Sequence, residues 1–148
     1  MPSACIHDPA VRASIEARLG KLTADSKGVW GRMTVDQMLW HVNQALATAL
    51  GRVQQGPKNV PIPAAVMRFA VLKMPWTRNA PTNPSLVARE RHDFETEQAR
   101  CRGLIADICA RDVSVAPPHH PTFGQMSGPQ QSQLHAKHLN HHLTQFGV

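Results

Sequence analysis

The fold turns on the C-terminal stretch Leu134-His135-Ala136-Lys137-His138-Leu139-Asn140-His141-His142-Leu143-Thr144-Gln145-Phe146-Gly147-Val148. Four histidines fall within eight positions there. On a helix turning roughly 100° per residue, Gln133, Lys137, Asn140 and Thr144 share one face, expected to be the water side. Leu134, Leu139, Phe146, His135, His138, His142 and Gln145 take the opposite, buried side. An imidazole buried among leucines requires a partner, and neutral imidazole is the commonest metal ligand. The pattern predicts a helix that forms one wall of a metal site.

Working back from that helix, Ser127-Gly128-Pro129-Gln130 has the form of a capping box and sets its start. Upstream, Asp93 is a good N-cap for a helix whose inner side carries Phe94, Cys101, Leu104, Ile105 and Ile108. Glu97, Arg100, Asp107 and Arg111 are expected on its water side. Thr34-Val35-Asp36-Gln37 is another capping box. It opens a helix running through Met38, Leu39, Val42, Ala45, Leu46, Ala49 and Leu50, closed by Gly56-Pro57. Asp8 followed by Pro9 starts the first helix, with Val11, Ile15, Leu19 and Leu22 at near-helical spacing. Residues 57–63 are proline-rich and expected to be extended. Ala64 to Lys73 fits a short apolar helix stopped by Pro75, and residues 74–92 form a long loop. Val113-Ser114-Val115, the best strand candidate, is only three residues. The expectation is one all-α domain over residues 1–148, a four-helix bundle with an extra short helix and long Pro-rich connections.

A chain of 148 residues suffices for one core. Its formal charge is +6, but Lys and Arg are dispersed without interleaved aromatics, so no nucleic-acid footprint is expected. Cys5, Cys101 and Cys109 are an odd count with no CxxC, which points to a reducing compartment. Cys101 and Cys109 read as small core residues. The apolar stretch at residues 62–74 is too short to span a bilayer and carries Arg68 and Lys73. No N-terminal apolar targeting segment is visible. A cytoplasmic protein with no membrane partner is expected.

His138 and His142 lie one turn apart on one face, and both can reach one ion at roughly 2.0–2.1 Å. His41, inside the second helix among apolar neighbours, is the candidate third ligand. Trp40 points elsewhere. The pairs His135/His138 and His138/His141 are three apart and also able to converge. His141 lies nearer the rim, suited to supporting a ligand or to the surface. His135 is placed in the pocket or at its mouth. His119 and His120, in a Pro-rich loop, and His7 and His92 are expected at the surface.

Three stretches carry a resemblance: Trp30-Gly31-Arg32-Met33-Thr34, Gln37-Met38-Leu39-Trp40-His41 and the ending from His138 to Phe146. Together they resemble the DinB/YfiT-like superfamily. The closest likeness is to its uncharacterised branch, where an HP-x-FG segment (here His120-Pro121-Thr122-Phe123-Gly124) precedes the histidine helix. The resemblance covers nearly the whole chain, and its sharpest motif is the terminal H-x-x-H-H-x-x-Q. It implies a four-helix bundle with a divalent metal on His41, His138 and His142; zinc and nickel both suit imidazole ligands. His135, His141, Gln145 and Gln37 are expected in the pocket or supporting its ligands. The commoner ending has Arg-Gly after the double histidine; Leu143-Thr144 stands here, while Gln145 is kept.

Three histidines leave open positions on an ion, the catalytic rather than the structural pattern. Members of the superfamily are similar to metal-dependent hydrolases or to transferases of low-molecular-weight thiols. The expected role is therefore an ion that activates water or such a thiol for hydrolysis or transfer on a small-molecule substrate. The alternative is a non-catalytic metal- or ligand-binding bundle, a homodimer with stress-related duties. Hydrolysis also wants a base. No carboxylate shares the His41 or His138 face: Asp36 is at a helix start, and Glu90, Asp93 and Glu97 approach only from the third long helix. His135 or His141 is left to serve.

Overall fold

The computed structural model describes residues 4–56, 60–80 and 82–148. Residues 57–59, the start of the expected extended run, and Pro81 lie outside the described residues. Among the described residues five α-helices form: α1 (Pro9–Leu19), α2 (Val35–Ala49), α3 (Ala64–Lys73), α4 (Phe94–Cys109) and α5 (Gly128–Gln145). No strand occurs among the described residues; one isolated backbone bridge joins His120 to Gly124.

The helix ends follow their capping chemistry. The Asp8 carboxylate accepts from the N–H groups of Ala10 and Val11, and Asp93 accepts from Thr96 N–H. These bonds satisfy amides that a helix start leaves orphaned. Ser127 and Gln130 bond reciprocally, at 3.1 and 2.9 Å. Gln37 Oε1 accepts from Thr34 N–H at 3.1 Å. Met74, ahead of Pro75, is extended with ψ 149°, which ends α3.

α2 packs most extensively along α4, while α5 touches α1, α2 and α3. Ile15, Leu19, Met38, Leu39, Val42, Leu46, Leu104, Ile105, Ile108, Leu139 and Leu143 are all buried in one cluster. Burial of each such side chain is worth about 1.5–3 kcal/mol. Cys101 is wholly buried in the same cluster, the small core residue expected. Cys109 is partly buried, its Sγ 3.3 Å from Ile6 O. A smaller cluster joins Leu72, Met126 and Leu134, and fastens α3 to α5.

Two face assignments are corrected. Only Asn140 and Thr144 of the expected water side of α5 are exposed. Lys137 Nζ donates to the carbonyls of Val71 and Met74, at 2.8 and 2.6 Å, and Gln133 Nε2 donates to Leu72 O at 2.9 Å. These carbonyls lie at the C-terminal end of α3, where acceptors go unpaired; periodicity within α5 carries no sign of α3 docking there. Glu97, expected toward water, is only 8 % exposed. Its Oε2 accepts from Asn43 Nδ2 at 2.8 Å, a bond between α4 and α2.

The 74–92 loop is pinned rather than loose. Buried Asp36 accepts from Arg91 Nε and Nη2, and from His92 N–H at 2.8 Å. Burial alone would raise the Asp36 carboxyl, but these bonds overcome it and hold the group well below the usual carboxylate range. Leu86, in a 3₁₀ turn within that loop, is thereby brought against α2.

Candidate metal centre

His41 sits in the middle of α2 and is 5 % exposed. Its Nδ1 is 2.8 Å from Leu86 O. A carbonyl can only accept, so Nδ1 carries the proton and Nε2 presents a bare lone pair. His142, on α5, obeys the same logic. Its Nδ1 is 2.7 Å from Gln145 Oε1, while Gln145 Nε2 donates to Trp30 O at 3.0 Å. The bond to Trp30 fixes which end of the amide faces His142, so His142 also keeps its proton on Nδ1. Gly31 makes room for that arrangement. Its φ is +83°, and a Cβ there would stand 2.6 Å from Gln145 Nε2.

His138 completes the group. His41, His138 and His142 each offer one ring nitrogen, all within 4.8 Å of one another. The Nε2 atoms of His41 and His138 are 3.0 Å apart. Two nitrogens at tetrahedral positions roughly 2.0–2.1 Å from an ion stand about 3.3 Å apart, so this pair is spaced for ligation. The three rings meet edge-on, with interplanar angles of 87°, 76° and 66°. Burial, only partly opposed by the Leu86 bond, lowers the His41 pKa. Burial, then the nearness of His41, lowers His142 to about 3. Burial and the neighbouring rings hold His138 well below the ordinary value. All three are neutral near pH 7, which is the ligating form. The donor set fits a divalent ion: outer nitrogens engaged by a carbonyl and an amide oxygen are the usual support for histidine ligands.

The other candidates scatter. Gln145 supports His142, as described. His141 is partly buried at the edge, its ring 5.0 Å from His142, 5.7 Å from Trp30 and 5.3 Å from Trp76. Gln37 makes no contact with the triad among the described bonds; it caps α2 and donates to Glu90 O at 3.2 Å. His135 is buried on the same face of α5 but two turns before His142, beside His7 and Ser132.

Three surface expectations are corrected. His120 Nδ1 accepts from the N–H groups of Thr122 and Phe123, at 3.0 and 3.2 Å, so it organises its own turn. Burial lowers its pKa to about 4. His92 stacks on Trp40 at 5.3 Å with the rings 8° from parallel, which is where the Trp40 ring goes. His7 is tied to Ser132. Only His119 is exposed as expected.

Sequence reasoning missed the Leu86 carbonyl and the two tryptophans. A backbone acceptor leaves no side-chain signature. Trp76, from the long loop, packs its ring 5.7 Å from His138, and its Nε1 donates to Val71 O at 2.9 Å. The long loop thus gives the site two contacts, the Leu86 carbonyl at His41 and the Trp76 ring at His138. Two recesses open elsewhere on the surface, one under residues 111–118 and one beside Trp40 and His92. Neither is lined by the triad, against which the Trp76 ring (at His138) and the His141 ring (at His142) are packed.

No helix among the described residues is long and apolar enough to cross a membrane. No curated protein and no solved structure matches the chain. A family model described as "Protein of unknown function (DUF1569)" matches residues 17–147, which takes in α2 through α5 and every residue of the histidine triad. By that match the chain belongs to the DUF1569 family.

Proposed function

We propose that His41, His138 and His142 hold a divalent cation, zinc or nickel, and that the protein is a metal-dependent enzyme acting on a small molecule. The observation that carries this reading is the pair of fixed tautomers. Leu86 O and the Gln145 amide each hold a proton on Nδ1, so two bare lone pairs are presented beside His138 Nε2. Without a cation, the His41–His138 contact at 3.0 Å needs a proton on His138 Nε2. A bound ion would supply Lewis-acid activation of water or of a low-molecular-weight thiol, for hydrolysis or transfer. His141 is the group at the rim suited to accept a proton. His135 is turned to another cavity, and Asp36 is committed to Arg91.

We also propose kinship with the DinB/YfiT-like four-helix bundles. Support comes from the all-helical architecture and from a histidine set drawn from the second helix and, four apart, the last one. The Trp76 ring, packed against His138 and His141, favours a second reading, a non-catalytic metal-binding bundle, because it crowds that side of the triad.

Metal analysis of untagged protein and of His138→Ala is the test. About one ion per chain is expected in the former and loss of it in the latter; full stoichiometry in the variant refutes the site. Thiol-adduct and ester- or amide-hydrolysis screens of the loaded protein, with Trp76→Ala alongside, then separate the two readings. Turnover that chelation abolishes supports the enzyme, and metal without turnover in either form supports the binding bundle.

A further inference from the structure

A helix that is apolar nearly all round is ordinarily buried, yet α3 has one side in water. Its inner side is seated on α5, where Leu72 is buried with Met126 and Leu134. On a helix turning roughly 100° per residue, Ala65, Phe69, Lys73, Val66 and Ala70 share an outer arc of about 140°. All five are exposed. Phe69 is 61 % and Val66 54 % exposed, and Ile62 and Met74 extend the exposed apolar surface at the two ends. Contiguous large apolar side chains held in water mark an interaction site.

Charge indicates what covers this ridge. Between Asp36 and Glu90 the chain has no acid and six cations, Arg52, Lys58, Arg68, Lys73, Arg78 and Arg89. Those six equal the whole formal charge of +6, since the other ten cations are matched by ten acids. Arg52 is paired with Asp107. Arg68 and Lys73 belong to α3 itself, and Arg78 follows it, 4.4 Å over the Trp30 ring. Lys137 adds a charge at the C-terminal end of α3, on the Val71 and Met74 carbonyls. Among the described residues, none of Arg68, Lys73, Arg78 and Lys137 is paired with a carboxylate. The apolar ridge is therefore set in uncompensated positive charge, which attracts an anionic partner.

Lys73 separates the possible occupants. By angle it lies between Phe69 and Val66, in the middle of the apolar arc. A second copy of the chain would press these like charges together, and the centre of a protein interface is depleted in lysine. A bilayer surface accepts both chemistries. The Lys73 stem stays among apolar groups while its ammonium reaches the headgroup phosphates, and Phe69 and Val66 enter the acyl boundary. We propose that the outer face of α3 docks on a membrane surface rich in anionic lipid, with the helix lying in the plane of the interface. No helix among the described residues is long and apolar enough to cross a membrane, so this is adsorption and not insertion. It does not rest on the histidine triad.

Flotation of the untagged chain with phosphatidylcholine vesicles, with and without phosphatidylglycerol, tests the proposal. Binding is expected on the mixed vesicles and should be at least about ten-fold weaker on phosphatidylcholine alone. Phe69→Ser, at an exposed position and with every charge kept, should weaken binding about ten-fold while the helical circular dichroism is retained. Lys73→Gln should weaken it about five-fold. Sedimentation velocity of the same proteins without lipid should show no dimer that depends on Phe69. Four results overturn the proposal: no flotation with the mixed vesicles, equal flotation with phosphatidylcholine alone, unchanged binding in Phe69→Ser, or a dimer that Phe69→Ser dissolves, which would assign the face to a second copy.

Discussion

Acidification should cost the metal-free protein stability through its buried histidines. In the unfolded chain a histidine titrates near 6.5. In the fold, burial before any other cause brings His135 and His142 down to about 3, and burial brings His120 down to about 4. Between those values the unfolded state binds more protons, so stability falls as the pH falls and is flat above about 6.5. At about pH 5, each unfolded histidine is favoured by about 1.5 pH units, or about 2 kcal/mol. The three together come to about 6 kcal/mol, against a whole-domain stability of about 5–15 kcal/mol. His41 and His138 shift in the same direction and add to the loss. Asp36 has the opposite sign. Its lowered pKa gives stability above about 3.9 that is lost only at stronger acid, so it does not enter this window. Urea unfolding in EDTA, followed by circular dichroism from about pH 7.5 to about pH 5, reads the effect. His135→Leu should flatten the slope by about 2 kcal/mol over that range. A urea midpoint that does not move with pH, or a slope that His135→Leu leaves intact, would refute the assignment of buried neutral imidazoles.

Gln145→Leu removes the acceptor from His142 Nδ1, and metal affinity measured by competition with a chelator should drop about 10–100-fold with helicity unchanged. Gly128→Ala should destabilise by at least about 2–3 kcal/mol in urea titration, because backbone rather than a movable side chain blocks the new methyl. Asp36→Ala should cost about 1–3 kcal/mol near neutral pH through the lost Arg91 and His92 bonds. That deficit against the parent should shrink as acid protonates the parent's own carboxylate. Trp76→Ala, which uncovers His138, should speed stripping of the ion by a chelator in a stopped-flow assay; an unchanged rate would mean that the indole does not guard the site.

The helices were readable in the residues themselves because their signals are local. Asp8-Pro9, Thr34 with Gln37, Asp93, and Ser127 with Gln130 each act within a turn of their own helix. Pro75 stops α3 for an equally local reason. The inward set of α5 also followed from spacing alone, which brought His138 and His142 to one side. What spacing could not reach was anything supplied by a distant segment. The Leu86 carbonyl, which orients His41, comes from a turn 45 positions away, and a backbone atom has no residue type to announce it. Lys137 and Gln133 read as solvated until α3 laid its carbonyl end across them. Glu97 read the same way until Asn43 met it from α2. His135 and His138 share an inward face and the same side-chain chemistry, three residues apart. One joins His41 and His142, and the other lines a separate recess with His7, because one turn along the helix axis brings a different neighbour against the same face. Local sequence determines which elements form and which face is apolar; only tertiary packing decides which partner each buried polar atom finds, since those partners are far away in the chain.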